Sequence, residues 1–552
     1  MSRHTTFRTG GPADIYIEPS CAEELKQVLD ICREENLAYT IIGNGSNLLV
    51  GDKGYRGVLI SFGKPFGQVA VEGTQVRAGA GALLSVVAKQ ALSASLTGFE
   101  FAAGIPGTIG GAVVMNAGAY GGELCQVLKE ATVLTPESEV RILPAAELEL
   151  GYRTSCVQKN GYMVLEAVLE LQPGNAEKIR AVMDELASKR KEKQPLEYPS
   201  AGSTFKRPVG QFAGKLIEDC GLRWSVVESL PVSESIKYAG PDRDALIENY
   251  KISLANLGKA GVKTICYNFM PVLDWARTDL TYPNPDGTSN LYFNRAEFAY
   301  FDIHILAREG AEADYSPEVL ERVEQMKSTM TPEGEHRLVE NIIVKTQGFV
   351  NGNITENDLK PVEKFRALLD LYKGITPEQL RANMAYFLNA IMPVCDEYGI
   401  DMCVHPDDPP MPILGLPRIV TCDADIRAFL DAVPNPHNGL TFCAGSLSAG
   451  AHNDVVALAR KYASRTHFVH ARICRVQPNG DFKESSHLDP RLVEIVRIFE
   501  KERPGVPMRV DHAPLMLGDE RMGYNAGYSF HGRMLALGMV SGIMATVATE
   551  KV

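Results

Sequence analysis

Four short apolar runs in the last third of the chain each end in a side chain that can bind a metal ion. The runs are GIDMCVH, GLTFC, THFVH and MRVD, and they end at His405, Cys443, His470 and Asp511. β-Branched and aromatic residues dominate them, and helix-length segments separate them, which predicts successive parallel strands. In a (β/α) barrel the C-terminal ends of all strands lie on one face. We therefore expect the four side chains to converge on one ion.

The pattern of apolar and polar positions changes near residues 223 and 224. Before this point the chain is rich in glycine and carries short strand-like runs at 39–43, 57–62 and 111–122. After it, strand-like runs alternate with helical, charge-rich stretches, as in parallel βα units. Six strands are predicted there, at 224–229, 263–268, 400–405, 440–444, 466–471 and 507–511. We expect two domains, 1–223 and 224–552, the second a TIM-type barrel.

Composition narrows the class of protein. The chain has 552 residues, more than one hydrophobic core usually organises, and is 45% apolar and 22% charged, which indicates a folded enzyme rather than a disordered chain. We find no apolar run of the roughly 18 residues that a membrane-spanning helix needs, and no signal-peptide segment at the start, which favours the cytoplasm. A net charge of −12 argues against a nucleic-acid partner. Eleven cysteines without CxxC pairs indicate reduced thiols.

Two glycine-rich loops, residues 43–50 and 103–123, mark a candidate phosphate-binding region in the first domain. Glycines let main-chain N–H groups approach a pyrophosphate closely, so the loops fit a dinucleotide, although tight turns explain them equally well. The candidate cofactor-binding residues are Gly43, Asn44, Gly45, Ser46, Asn47, Gly104, Gly107, Thr108, Gly110, Gly111, Asn116 and Gly118.

Residues 1–223 resemble the UDP-N-acetylenolpyruvoylglucosamine reductase family, flavin enzymes of peptidoglycan synthesis. TTFRTGGPAD (5–14), the two glycine loops, GYRTS (151–155) and SAGSTFKRP (200–208) carry the resemblance. It implies an α+β domain that binds FAD, with NADPH as the reductant. It also implies that Arg153 polarises the substrate carboxylate and that Ser203 delivers a proton. Without the family, Arg153 is a surface or structural arginine and Ser203 a turn residue.

This first half departs from the family pattern at both of its ends. The family's remaining substrate domain, with a near-terminal glutamate that assists protonation, is absent after GKLIEDCGLR (214–223), and the start opens almost directly on TTFRTGG. We therefore expect a flavin-binding fragment whose reductase activity is in question.

The four strand-end side chains of the second half supply two imidazoles, one thiolate and one carboxylate. This set suits a divalent ion of intermediate softness such as Mn²⁺, Fe²⁺ or Zn²⁺. His512 follows Asp511 directly, and Tyr528 lies one short loop further on, so both are chemically fit for proton transfer. The simpler interpretation of each residue alone is a buried core cysteine or a structural hydrogen-bonding side chain.

Residues 224–552 resemble D-mannonate dehydratase. The resemblance lies in WSVVESLPVSESIK (224–237), CYNFMPVLDWARTDL (266–280), CVHPDDPP (403–410), LTFCAGS (440–446), FVHAR (468–472), RVDHAP (509–514) and GYSFHGR (527–533). It implies loss of water from D-mannonate to give 2-dehydro-3-deoxy-D-gluconate, Mn²⁺ or Fe²⁺ on the four ligands, and proton transfers by His512 and Tyr528. Arg418 is a candidate for holding the substrate carboxylate, and an exposed arginine is the alternative.

The second half also departs from its family, because the first strand and helix of the barrel are missing and the reductase fragment stands in their place. The leading hypothesis is thus a fusion of a truncated flavin reductase with a nearly complete dehydratase that acts on small molecules. The alternatives are a chain in which the reductase is the working half and a catalytically dead assembly chain. Association of copies through the barrel half is also expected.

Overall fold

The computed structural model describes the chain except for residues 52, 194–198, 203–218, 347–353, 355–359 and 551–552. It contains two compact units, Met1–Cys220 and Gly221–Val552. Each unit has its own hydrophobic core and is described separately.

The first unit is an α+β domain built on two main sheets. A parallel sheet has the strand order Ala13–Ile17, Tyr55–Ser61, Tyr39–Ile42. An antiparallel sheet has the order Val140–Pro144, Leu128–Leu134, Met163–Glu170, Gln75–Gly79, Val69–Glu72. Two short ribbons pair Leu96–Thr97 with Gln172–Pro173 and Gly118–Ala119 with Gly122–Glu123. The helices are Ala22–Glu34, Leu84–Ser93, Ile109–Met115, Cys156–Lys159 and Ala176–Lys193.

One predicted strand of this unit is wrong. The runs at 39–43 and 57–62 do form strands, but the run at 111–122 is occupied by the end of the helix Ile109–Met115 and by a tight ribbon. Ile109, Ala112 and Val113 are buried, a spacing that follows the helical period. A Cβ on Gly110 would lie 3.0 Å from the Ala80 Cβ, so glycine lets this helix pack closely against its neighbour.

A six-stranded parallel sheet forms the centre of the second unit. Its strands occur in space in the same order as in the chain, as expected of right-handed βα units. They are Val226–Glu228, Thr264–Tyr267, Asp401–Val404, Asn438–Cys443, Thr466–Ala471 and Met508–Val510. All six predicted strands are therefore confirmed.

The parallel sheet is curled but is not a closed eight-stranded barrel. Val226–Glu228 and Met508–Val510 are its edge strands, and the described residues supply no strand between them. Their side chains nevertheless meet, because Arg509 forms an ion pair with Glu228. A complete (β/α)₈ barrel has eight strands. The described residues supply six such strands, which agrees with the predicted incomplete barrel.

Long segments between the parallel strands form an additional sheet and the helices of this unit. An antiparallel sheet has the order Asp279–Pro283, Ser289–Phe293, Phe482–Glu484, Cys474–Val476, and thus joins a segment after the second parallel strand to one after the fifth. The helices of the unit are Glu234–Lys237, Arg243–Lys259, Arg295–Tyr300, Pro317–Lys327, Pro332–Val339, Pro361–Asp370, Pro377–Tyr398, Asp423–Ala432, Ala444–Ser448, Val455–Tyr462, Pro490–Glu502 and Phe530–Thr549.

The last helix, Phe530–Thr549, corrects one expectation. By length and composition alone it could cross a membrane, with 28% of its apolar window buried, although the sequence analysis found no run of that kind. Core helices of soluble proteins meet the same criterion. Here Ala536, Val540, Ile543 and Val547 are buried at three- and four-residue spacing, so one stripe of the helix packs on the unit.

Phe387 offers a test of the core of the second unit. Its ring lies among those of Tyr250, Tyr267 and Phe269, with centroid separations of 5.0, 6.0 and 6.1 Å. Phe387→Ala should lower the free energy of unfolding of this unit by about 3–5 kcal/mol, because it removes a buried ring and leaves a cavity.

Both tryptophans of the chain, Trp224 and Trp275, lie in the second unit, so urea unfolding of the full chain followed by tryptophan fluorescence reports on it selectively. Ile252→Ala, at an exposed position of the helix Arg243–Lys259, is the control and should change stability by under about 1 kcal/mol. Equal effects of the two substitutions would contradict this description of the core.

Candidate functional site

Three of the four predicted ligands converge at the C-terminal end of the parallel sheet. His405 directly follows the third strand, Cys443 ends the fourth, and His470 lies near the end of the fifth. Strand pairing sets this proximity: Cys443 and His470 are register partners, and the His405 N–H donates to the Tyr267 carbonyl at 2.9 Å. One potential ligand atom from each of the three residues lies within 4.8 Å of the others, and all three residues are buried.

The two histidines present their rings in ways that suit a cation. His405 Nδ1 lies 2.7 Å from the Pro406 carbonyl oxygen, which can only accept, so Nδ1 carries the hydrogen and Nε2 remains a potential ligand. His470 Nε2 lies 3.0 Å from Glu228 Oε1, and Nδ1 lies 3.5 Å from Asp511 Oδ2, yet neither nitrogen has a partner in hydrogen-bond geometry among the residues that the structure describes. A buried imidazole without hydrogen bonds is costly, and a bound metal ion would satisfy it.

Cys443 is held as a thiolate, the form that binds metals. Burial raises its pKa, but the positive charge of Arg472 and the neighbouring imidazoles of His405 and His470 hold the pKa of the Cys443 thiol well below its ordinary value. The Ser446 hydroxyl donates a hydrogen bond to the Cys443 sulfur at 3.2 Å. The donor set of two imidazoles and a thiolate thus fits a divalent first-row ion.

Asp511 lies beside this group rather than within it. It follows the sixth strand and accepts hydrogen bonds from Arg472 Nε at 2.7 Å and from an Arg509 guanidinium nitrogen at 3.0 Å. Burial raises its pKa, but His512, Arg509 and His470 hold the pKa of the Asp511 carboxyl well below its ordinary value. It is therefore an anion whose Oδ2 lies 3.5 Å from the imidazole of His470.

The two candidate proton-transfer residues lie next to each other. The rings of His512 and Tyr528 are 5.4 Å apart and nearly perpendicular, and the Trp275 ring lies 4.9 Å from that of His512. His512 Nδ1 is 3.0 Å from Glu484 Oε1. Burial and the negative charge of Asp511 raise the pKa of the Tyr528 phenol well above its ordinary value, so Tyr528 is protonated at neutral pH.

A buried network of four charged residues lies against these groups. Arg277 and Arg472 both bond to Asp408, at 2.7 and 2.6 Å, and both bond to Glu484, at 2.9 and 3.0 Å. Burial raises the pKa of Glu484, but Arg472, His512 and Arg277 lower it to about 2. The network balances two cations with two anions, so the charges are paired although the side chains are almost completely excluded from solvent.

Arg418 is buried, so the alternative of an exposed arginine is wrong. Its guanidinium donates to Asp407 Oδ1 at 3.2 Å and to the Leu273 carbonyl at 3.4 Å. Asp407 in turn accepts from the N–H groups of Ile419 and Val420, which ties the loop after the third strand together. These contacts indicate that Arg418 supports the loop after the third strand. That Arg418 also contacts the substrate stays a prediction.

The sequence analysis missed several charged residues of this region: Glu228, Arg277, Asp408, Arg472 and Glu484. Glu228 ends the first parallel strand, so the rule that found the other strand-end residues applies to it as well. Arg472 directly follows the fifth parallel strand, so the same rule applies to it. Arg277 and Asp408 lie on loops and Glu484 on a three-residue antiparallel strand, where no periodicity marks them.

In the first unit, the two glycine loops come together. A Cβ on Gly43 would lie 2.2 Å from the Thr108 hydroxyl, and the Asn44 side-chain amide donates to the Pro106 carbonyl at 2.7 Å. Gly45 has a positive φ of +59°, and a Cβ there would meet the His4 carbonyl oxygen at 2.1 Å. The glycines therefore let the two loops pack closely against each other and against the start of the chain.

Other candidates of this unit extend the same region. Asn116 ends the helix Ile109–Met115 in a left-handed conformation, and Arg153 donates to the carbonyls of Asn116 and Gly118 at 3.3 and 3.0 Å. Arg153 therefore lies beside the second loop. Ser203 lies outside the described residues. The remaining candidates are on the first loop (Ser46, Asn47) and the second (Gly104, Gly107, Gly111).

The larger, C-terminal part of the chain matches one family of known proteins. A family model described as D-mannonate dehydratase (UxuA) matches residues 210–552. The mannonate dehydratase of Saccharophagus degradans is 42% identical over 362 residues, which cover 63% of this chain and 89% of the relative. The solved mannonate dehydratase of Streptococcus suis serotype 2 is 31% identical with a TM-score of 0.47, covering 62% of this chain and 85% of that one.

The first part of the chain matches a different group of proteins. A family model described as an FAD binding domain matches residues 13–143. The UDP-N-acetylenolpyruvoylglucosamine reductase of Clostridium novyi is 52% identical over 265 residues, which cover 48% of this chain and 81% of the relative. The chain thus joins an FAD-binding, reductase-like segment to a dehydratase domain.

The charge of Glu484 predicts how the stability of the second unit depends on pH. Its pKa of about 2 in the folded chain lies below the ordinary 4.5, so its stabilising contribution is complete above pH 4.5 and is lost as the pH falls through 2. The difference corresponds to roughly 3 kcal/mol.

Glu484→Gln should therefore destabilise the unit at pH 7, and its difference from the wild type should shrink as the pH falls from 5 towards 2. Urea unfolding followed by tryptophan fluorescence at several pH values measures this. Glu309→Gln, at an exposed carboxylate, is the control and should leave the pH profile unchanged. A constant difference between wild type and Glu484→Gln across this range would rule out the assigned charge.

Proposed function

The chain belongs, through residues 210–552, to the D-mannonate dehydratase family, and we propose that its active site lies at His405, Cys443, His470 and Asp511. The protein is a hydro-lyase that converts D-mannonate to 2-dehydro-3-deoxy-D-gluconate. The observation that carries the site assignment is the convergence of three potential ligand atoms within 4.8 Å, at the C-terminal ends of three adjacent parallel strands.

We propose Mn²⁺ or Fe²⁺ as the ion, with Asp511 as the fourth ligand beside His470. The mixture of imidazole, thiolate and carboxylate favours a first-row ion of intermediate softness. When bound, such an ion would polarise the carboxylate and α-hydroxyl of the substrate and so acidify the neighbouring C–H bond. Arg472, which bonds to Asp511 directly and to Ser446 next to Cys443, would orient two of the ligands.

The proton transfers are assigned to His512 and Tyr528. Loss of the C2 proton and departure of the C3 hydroxyl as water give an enol, which becomes the 2-oxo product when the C2 hydroxyl loses its proton and C3 is protonated. His512, whose Nδ1 is bonded to Glu484, would accept the C2 proton on Nε2. Tyr528 carries its proton at neutral pH and would donate it to the departing hydroxyl. Arg418 remains our candidate for the substrate carboxylate through its Nε, which has no hydrogen-bond partner among the described residues.

The first unit is an FAD-binding domain. We propose that Gly43–Asn47 and the second glycine loop hold the FAD pyrophosphate. In the alternative, the reductase unit is the catalytic half of the chain. NADPH is then its reductant, a UDP-N-acetylglucosamine enolpyruvate is its substrate, and Arg153 and Ser203 take part in catalysis. The position of Arg153 beside the second loop supports that alternative.

The cytoplasm is the proposed compartment. All eleven cysteines are unpaired thiols, as in proteins of reducing compartments. Exposed apolar side chains on the last helix, at Met534, Leu535 and Leu537, support association of copies through the second unit. We retain 1–223 and 224–552 as the proposed domain boundaries.

Cys443→Ala tests the metal centre. The purified chain with Mn²⁺ should dehydrate D-mannonate, and Cys443→Ala should both lose bound manganese and lower turnover by at least about 100-fold, because a thiolate ligand is gone. Metal content by elemental analysis and product formation are the two measurements. Cys422→Ala changes a partly buried cysteine that is not among the proposed ligands, and it should keep both metal and activity. Full manganese occupancy in Cys443→Ala would show that the ligand assignment is wrong.

Gly43→Val tests the flavin site. A side chain at position 43 meets Thr108, so this variant should retain less than about one tenth of the flavin absorbance of wild type after reconstitution with FAD. Gly51→Ala is the matched control, since a Cβ there meets no atom within 4 Å. A wild-type chain that stays colourless after reconstitution would refute the proposed binding residues, and loss of flavin in both variants would refute the role given to Gly43.

A further inference from the structure

Glu484 accepts a hydrogen bond from His512, the proposed proton acceptor, on the same oxygen that two arginines contact. It ends the short strand Phe482–Glu484 and is buried. Three donors meet at its Oε1: Arg277 at 2.9 Å, Arg472 at 3.0 Å and His512 Nδ1 at 3.0 Å. Oε2 has no hydrogen-bond partner among the described residues. The orientation of this carboxylate is therefore set entirely through one oxygen.

The contact with Glu484 determines which nitrogen of His512 carries the hydrogen. An ionised carboxylate accepts hydrogen bonds and cannot donate one, so His512 Nδ1 must be the donor. In the neutral imidazole Nε2 is then the basic nitrogen. After proton uptake the imidazolium would lie against the same carboxylate, which would stabilise its charge.

The carboxylate itself cannot rotate away without breaking buried ion pairs. Arg277 and Arg472 both bridge from Glu484 to Asp408, and Arg472 Nε also donates to Asp511. The Arg472 guanidinium, which orients the proposed ligand Asp511, thus also orients Glu484, the hydrogen-bond acceptor of His512. One rigid, planar guanidinium therefore links the proposed ligand Asp511 to the carboxylate that contacts His512.

We propose that Glu484 is the positioning residue for His512 and that it fixes the imidazole tautomer and ring orientation needed for proton transfer. This inference rests on the proposed function of His512. The competing explanation is that Glu484 only neutralises two buried arginines. That explanation predicts loss of stability when Glu484 is changed, but it predicts no dependence of the kinetic effect on the presence of His512.

A double-mutant cycle separates the two explanations. We would measure kcat and KM for D-mannonate, and bound manganese, in wild type, Glu484→Gln, His512→Gln and the double variant of the full chain. Asp481→Asn is the matched control, because Asp481 is also a buried carboxylate paired with an arginine, Arg322, but does not contact His512. Glutamine can donate to Nδ1 and would favour the opposite tautomer.

The proposal predicts that Glu484→Gln lowers kcat by about 10²–10⁴-fold while KM changes by less than about threefold and manganese stays bound. The double variant should be no slower than His512→Gln, because both changes disable the same group. Asp481→Asn should keep kcat within about threefold. Independent, multiplying losses in the double variant, or a Glu484→Gln variant with near-normal kcat, would overturn the proposal.

A second readout does not require activity. In protein labelled with ¹⁵N-histidine, the signal that disappears in His512→Gln identifies His512, and its shifts show which nitrogen is protonated. We expect Nδ1–H in wild type and Nε2–H in Glu484→Gln. Nε2–H in the wild type would overturn the proposal. A wild type that binds Mn²⁺ but does not dehydrate D-mannonate would refute the proposed function alone, and the tautomer measurement would still decide the role of Glu484.

Discussion

The buried pairing of Arg277 and Arg472 with Asp408 and Glu484 is the interaction on which the active-site end of the second unit depends. Removing four charges from water is costly, and the cost is offset only if every charge has a partner in good geometry. Arg277 follows the second parallel strand, Asp408 lies on the loop after the third, and Glu484 lies on the antiparallel sheet. The ion pairs among these residues therefore hold the three segments that carry Arg277, Asp408 and Glu484 against one another.

The same network sets the chemistry of the neighbouring groups. Arg472 lowers the pKa of Cys443, and it also bonds to Asp511, so one guanidinium favours the anionic form of two proposed ligands. Tyr528 lies close enough to Asp511 for the pKa of its phenol to rise. A thiolate, a carboxylate and a neutral phenol in close proximity are what a metal-assisted loss of water needs. Arg472 favours the two anions, whereas burial and the charge of Asp511 keep the phenol of Tyr528 protonated.

Residue spacing was enough to predict the six strands, because parallel strands buried on both faces leave short apolar runs in the sequence. It was also enough to find His405, Cys443 and His470, since each side chain sits at the end of its own run. Glu484 could not be found in this way. Its role depends on a strand pairing with Ser289–Phe293, some 190 residues earlier in the chain, and no local pattern encodes that pairing. Burial of Arg418 likewise depends on a partner, Asp407, across a loop.

The open sheet raises the question of how an incomplete barrel can hold the proposed metal site. The positions of the ligands answer it in part, because His405, Cys443 and His470 come from the third, fourth and fifth strands, each of which is paired on both sides. Only Asp511 follows an edge strand. Its neighbour Arg509 reaches Glu228 on the opposite edge, and both Asp511 and Glu228 face the ring of His470. The two edges are therefore tied together by charge at the level of the ligands, where a complete barrel would tie them through main-chain hydrogen bonds of the intervening strands.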